Sequence, residues 1–245
     1  MKFKEWIPIL REWATMEEYK KKVEESKFII HKALAEYRKP YVAYSGGKDS
    51  SVVLHLILQQ KSDIMVLHWD YGRHYIPRWL EEEFIQNAKK MGAINICIET
   101  SDIYEILGRE AINVLGSEYI DGVVRDLKRK GYDLSFVGLR KQESTKRKLR
   151  IVNNSYIGVI PECWPVADWS WKDIWAYIFS NNIPYASIYE KYGDVIGIDK
   201  LRLVTFFDPE FDKFGNSNLD GLLMWRERNM GRDSQVPWDE DDGDI

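Results

Sequence analysis

The densest concentration of anion-binding chemistry in the sequence is Ser45-Gly46-Gly47-Lys48-Asp49-Ser50. Two consecutive glycines let backbone N–H groups approach an anion with no Cβ in the way. The hydroxyls of Ser45, Ser50 and the adjoining Ser51 can donate hydrogen bonds, and Lys48 can neutralise charge. The preceding Tyr41-Val42-Ala43-Tyr44 reads as a short buried strand and the apolar run Ser51–Leu58 as a helix. The segment therefore sits at a helix N-terminus, where free N–H groups and the positive end of the helix dipole favour an anion. A tight strand–helix turn would also use glycine, but it would not ask for the flanking serines and the lysine. The spacing of the common Walker loop is absent.

A second cluster is Val137-Gly138-Leu139-Arg140-Lys141-Gln142-Glu143-Ser144-Thr145-Lys146-Arg147. It follows a predicted strand, and arginines at the C-terminal edge of a parallel sheet lie where open α/β folds bind ligands. Arg140 and Arg147 suit bidentate contact with phosphate. Lys141, Lys146, Lys148 and Arg150 make a basic surface helix the competing reading, in which Lys146 and Lys148 are solvated neighbours.

The elements that must position these residues alternate. Strands are predicted at 41–44, 64–69, 94–98 and 134–138. Helices are predicted over 15–37 (with Thr15 and Glu18 at capping-box spacing), 51–58, 78–91, about 104–115, 119–130 and 170–181, with a terminal helix at 218–230. Gly92 and Gly131 stand where helices would end. Short apolar strands between helices indicate an α/β fold, a doubly wound parallel sheet of about five strands. A helical N-terminal segment at 1–25 precedes it, the main domain covers 26–180, and a small C-terminal extension runs over 181–232. Residues 233–245 carry Asp239, Glu240, Asp241, Asp242 and Asp244 and read as a disordered acidic tail.

Bulk properties exclude several classes. The 245 residues carry 30% charged side chains and a net charge of −4, which argues against a protein that coats nucleic acid non-specifically. Cys97 and Cys163 are too few for a disulfide scaffold or a four-thiolate metal site, and both are expected to stay reduced. No apolar run approaches about 18 residues, so no membrane span is expected and the chain reads as cytoplasmic.

The loop resembles the SGGxDS loop of the PP-loop ATP pyrophosphatases, with Ser45, Gly46, Gly47, Asp49 and Ser50 on the pattern. The second cluster is similar to the G-x-R-x-x-E-S-x-x-R segment of the phosphoadenylylsulfate (PAPS) reductase-like group. Pro165-Val166-Ala167-Asp168-Trp169-Ser170-Trp171-Lys172-Asp173-Ile174-Trp175 and Ile183-Pro184-Tyr185 match that group's further signatures. The resemblance spans roughly 41–192 and implies ATP as substrate, cleaved between the α- and β-phosphates by attack of an unknown acceptor. It implies Lys48, Arg140 and Arg147 as catalytic residues. Ser45, Gly46, Gly47, Asp49, Ser50, Ser51, Gly138 and Glu143 would bind nucleotide, and magnesium would be held through Asp49. Relatives carry D-T-G at the position of Asp70-Tyr71-Gly72, so His68, Trp69 and Asp70 are expected near the base, His68 as a structural residue and not a base catalyst. Sulfonucleotide reductases of the group use a C-terminal cysteine that this sequence lacks after Cys163, so adenylyl transfer is favoured over reductase chemistry. A non-catalytic nucleotide-binding subunit is the remaining alternative. Within the group, the cysteine-poor branches are sulfate adenylylation, FMN adenylylation and sulfur modification of DNA, which the motifs do not separate; sulfate adenylylation would imply a GTPase-type partner. Sulfur modification of DNA would imply a desulfurase-type partner, with nucleic acid reached only indirectly. An oligomer is compatible with either.

Overall fold

The computed structural model describes residues 1–72, 76–108, 118–201 and 203. Five parallel strands form one sheet: β1 (Pro40–Tyr44), β2 (Met65–Asp70), β3 (Ile96–Thr100), β4 (Leu134–Val137) and β5 (Glu162–Cys163), in the order β3-β2-β1-β4-β5. The register aligns Tyr44 with His68 and Ala43 with Val137, so β1 and β4 end close together while β2 continues past them to Asp70. The chain steps from β1 outward to β2 and β3, then returns to β4 on the opposite side of β1. That reversal opens a crevice beyond the ends of β1 and β4, the place where open α/β sheets take ligands.

The helices are α1 (Trp6–Trp13), α2 (Glu17–Glu36), α3 (Lys48–Leu58), α4 (Arg78–Lys90), α5 (Ile103–Leu107), α6 (Arg125–Arg129), α7 (Thr145–Val152), α8 (Trp171–Ser180) and α9 (Ile188–Ile196). A π-helical turn at Glu118–Val124 leads into α6. Side chains alternate across the sheet as a period of two requires. Tyr41, Met65 and Leu67 pack on one face with Val124, Leu127 and Ile160, while Val42, Tyr44 and Val66 join the larger core on the other. Helix α3 is apolar nearly all round and buried along most of its length, because it lies against the sheet with α8 outside it.

Four strands stand where the alternation of apolar runs predicts them, and Gly92 and Gly131 end their helices with φ of +99° and +86°. The differences have local causes. β5 is only two residues long and runs into Trp164-Pro165, too short to give a periodic signal. Thr15 does not cap α2; its hydroxyl donates to the Glu12 carbonyl at the end of α1, and α2 begins at Glu17. The helix predicted over 104–115 appears as α5 up to Leu107, and residues 109–117 lie outside the described residues. So do the helix predicted at 218–230 and the acidic tail.

A buried carboxylate helps to anchor the N-terminal helices. Ser170 and Asp173 form a capping box at the start of α8, and the fully buried Asp173 also accepts from the Trp13 indole (2.9 Å) and the Lys22 ammonium (3.0 Å). Burial pushes the Asp173 pKa up. The donors from Trp13, Ser170 and Lys22 outweigh it and hold the carboxyl below its ordinary value. Nearby, Trp175 stacks its faces and edges against Phe3, Phe179, Tyr185 and Tyr189, with centroids 5.2–5.5 Å apart. Asp173→Ala should cost roughly 3 kcal/mol of unfolding free energy, because it strands a buried indole N–H and removes a helix cap. Urea denaturation measures this, and a loss below about 0.5 kcal/mol would mean the network is dispensable.

Candidate functional site

The loop after β1 is built by a small number of contacts that only its own residue types permit. Gly46 has φ of +75°, and a Cβ there would lie 2.2 Å from the Phe84 ring of α4. Gly47 is extended and caps α3. The Ser50 hydroxyl donates to the Gly47 carbonyl (2.9 Å), accepts from the Ser45 N–H (3.3 Å) and meets the Ser45 hydroxyl at 3.1 Å. Ser51 turns back onto the same Gly47 carbonyl at 3.0 Å. The curled loop thus sets Ser45, Gly47 and Ser50 along a cavity at the N-terminus of α3, where anions are favoured.

Behind the loop lies a buried triad of charges. Asp49 accepts from the Lys48 ammonium at 3.0 Å through one oxygen and from the Arg140 Nε at 2.5 Å through the other. Lys48 is 1% exposed and Arg140 5% exposed, so this cluster is screened from solvent. Burial raises the Asp49 pKa, but Arg140 and Lys48 overcome it and hold the carboxyl far below the carboxylate range. Burial depresses the Lys48 pKa, with Arg140 adding to that depression and Asp49 opposing it. Arg140 can reach Asp49 because the chain after β4 runs very close to the loop. A Cβ on Gly138 would fall 2.6 Å from the Ser50 nitrogen. Glu143 then accepts from the Arg140 N–H (2.8 Å) and pairs with Arg147 at the start of α7.

Together these segments edge a cavity of about 380 Å³. Ser45, Gly47, Asp49 and Ser50 line it from the loop. Gly138, Glu143, Ser144, Lys146 and Arg147 line it from the chain after β4. Trp69 lines it from the end of β2 and Tyr71 from just after that strand, and Tyr189 and Leu203 come from the C-terminal side. Its inner wall is the sheet face carrying Tyr41, Ala43, Leu67 and Ser135. A larger cleft of about 660 Å³, edged by Lys2, Lys4, Trp79 and Glu190, contains none of the loop residues, so volume alone does not locate the site.

The structure brings most of the expected site residues to one place. Ser45, Gly47, Asp49, Ser50, Trp69, Gly138, Glu143 and Arg147 line the cavity; Gly46, Lys48, Ser51, His68, Asp70 and Arg140 do not. Lys48 and Arg140 brace the loop from beneath. His68 is buried, with Nδ1 2.9 Å from the Tyr44 carbonyl and Nε2 2.6 Å from a Glu81 carboxylate oxygen. Two acceptors ask for a proton on each nitrogen. Burial lowers the His68 pKa, but Glu81 and the Tyr44 carbonyl raise it above the ordinary value. Asp70 binds Arg78 through both oxygens (2.7 and 3.0 Å) and accepts the Gly72 N–H at 2.8 Å, which shapes the turn after β2. The sequence reading gave no site role to Tyr71, Tyr119, Tyr189, Arg150 or Glu162, which also line the cavity and come from separate elements of the chain.

Comparison with known proteins agrees with this architecture. The family model of the phosphoadenosine phosphosulfate reductase domain matches residues 39–202. The chain belongs to that family. The matched stretch begins just before β1 and runs past α9, so it contains the loop, the Gly138–Arg147 segment and the whole sheet. Sulfate adenylyltransferase subunit 2 of Magnetococcus marinus is 30% identical over 236 residues, covering 77% of this chain and 76% of that protein. An uncharacterised protein of Methanocaldococcus jannaschii is 35% identical over 193 residues; this chain spans only 37% of its length. The crystal structure of phosphoadenylyl-sulfate (PAPS) reductase from Candida auris, in a phosphate complex, superposes with a TM-score of 0.50 at 14% identity. It covers 76% of this chain and 91% of that one, a likeness of fold.

Gly46→Ala should destabilise the protein by about 1–3 kcal/mol, through a positive φ and a collision with Phe84. In a double-mutant cycle with Phe84→Ala, the two changes together should cost less than their sum, because the shortened side chain removes the collision. Full additivity in urea unfolding would show that Phe84 does not limit the loop.

Proposed function

We propose that this chain binds ATP with its triphosphate on the Ser45–Ser50 loop and catalyses adenylyl transfer, releasing pyrophosphate. The observation that carries this reading is the convergence at one cavity of a bare-backbone helix N-terminus, the Ser45 and Ser50 side chains that line it, and Arg147 from across the β1/β4 crevice. Such an arrangement suits a polyanion held along its length, with Trp69 and Tyr71 as an aromatic wall for a base. The name of the Magnetococcus marinus relative, an adenylyltransferase subunit, supports the same class of chemistry.

In this reading an acceptor oxyanion attacks the α-phosphorus. A new P–O bond forms to the acceptor, the bond to the bridging α–β oxygen breaks, and its electron pair leaves with pyrophosphate. Phosphoryl chemistry of this kind needs positioning and charge stabilisation more than covalent help from the protein. The loop N–H groups, Ser45 and Ser50 hold the departing pyrophosphate, and Arg147 meets the charge that grows on it. Lys48 and Arg140 act through Asp49, which they pin so that the loop is preformed. Asp49 does not fit as a magnesium ligand, since each of its oxygens is already engaged by a cation.

A thiol-based reductase reading is less well supported. Burial pushes the Cys163 thiol up to about 12, and burial together with Glu99 also raises Cys97. Neither thiol lines the cavity. A nucleophilic cysteine needs the opposite environment, one that favours the thiolate.

Incubation with ATP and candidate acceptors should yield pyrophosphate together with AMP or an adenylylated product, resolved by anion-exchange chromatography. ADP as the main product would overturn the proposal. The Cys97→Ser/Cys163→Ser double variant should keep nearly all of that turnover; its loss in a variant whose circular dichroism is unchanged would restore the reductase reading.

A further inference from the structure

The cations around the cavity are not equivalent. Arg147 is paired with Glu143, Arg150 with Glu162, and Lys48 and Arg140 share Asp49. Lys146 lines the same cavity from the first turn of α7 and is exposed. Among the described residues it is the cavity-lining cation with no carboxylate or hydrogen-bond partner. The sequence alone makes it a solvated neighbour, because on a basic helix nothing distinguishes it from Lys148. The structure separates the two, since Lys148 is exposed and does not line the cavity.

Charge balance gives that difference a meaning. Two cations on Asp49 leave one net positive charge beneath the loop, while Arg147 with Glu143 and Arg150 with Glu162 each cancel. A nucleoside triphosphate brings a charge of about −4 at neutral pH, so the fixed groups fall well short. A monophosphate brings about −2 and asks for much less. Among the described residues Lys146 is the remaining positive charge lining the cavity. Its ammonium sits on a flexible four-carbon stem and can follow a phosphate group in a way a paired guanidinium cannot.

We propose that Lys146 contacts the β/γ-phosphates directly and makes the site select a triphosphate over a monophosphate. This rests on the ATP reading above. The test uses the full chain and calorimetric titration with α,β-methylene-ATP, which cannot be cleaved at that bond, and with AMP. Lys146→Ala should weaken the triphosphate analogue about tenfold, the size of one charge-assisted contact. Its effect on AMP should stay within about twofold, and the analogue effect should shrink as ionic strength rises from about 0.05 to about 0.5 M. Lys146→Arg should retain most of the affinity, and Lys148→Ala should match the wild type. An unchanged analogue affinity in Lys146→Ala would overturn the proposal. So would equal losses in Lys146→Ala and Lys148→Ala, which would mean only a diffuse positive field. Failure of the wild type to bind the analogue at all would instead remove the ATP reading, and this inference with it; that outcome is visible before any variant is made.

Discussion

The salt-bridged triad Lys48–Asp49–Arg140 is the interaction on which the rest of the site depends. Three charged groups taken out of water carry a desolvation cost of several kcal/mol each, and only close opposite charge and good geometry offset it. Asp49 supplies both, one oxygen to each cation. The consequence is mechanical as much as electrostatic. Lys48 and Asp49 open α3 after β1, whereas Arg140 follows β4, so the triad ties the two strand ends that bound the crevice. The net positive charge it leaves sits directly under the N-terminus of α3, reinforcing the helix dipole where an anion would rest.

Close backbone approach makes this triad attainable. Gly138 lets the chain after β4 pass within van der Waals contact of Asp49 and Ser50, and any side chain there would push Arg140 away from its partner. On the opposite side, α4 backs the loop. Gly46 lies flat over Phe84, the Tyr44 hydroxyl donates to the Phe84 carbonyl at 3.1 Å, and His68 links the Tyr44 carbonyl to Glu81. The loop is therefore held from two sides before any ligand arrives. Such preorganisation lowers the ordering cost of binding and keeps donors aimed where charge develops.

The helical layer outside α3 works at longer range. Asp173 gathers Trp13, Lys22 and Ser170, and Trp175 gathers Phe3, Tyr185 and Tyr189. Tyr189 connects this layer to the site, because its hydroxyl accepts the Lys48 N–H at 3.2 Å and its side chain lines the cavity. The tryptophan-rich signature after Pro165 thus serves packing, with one aspartate as its polar anchor.

The sequence by itself determined what depends on neighbours in the chain. The loop's glycines and serines, the apolar strand before it, the buried helix after it and the alternation of strands with helices are local patterns, and local physics reads them. The helix ends at Gly92 and Gly131 belong to the same class. Tertiary structure alone decided which way each charged side chain turns. Arg140 and Arg147 occupy equivalent places in a motif, yet Arg140 is drawn inward to Asp49 and Arg147 stays at the cavity wall. Lys146 and Lys148 look alike on a helix, and only the position of α7 against the crevice tells them apart. His68 and Asp70 lie at a strand end next to the site but are turned to Glu81 and Arg78, partners that α4 brings from elsewhere in the chain. The two-residue β5 exists because β4 offers it a free edge, a pairing energy that no window of sequence contains.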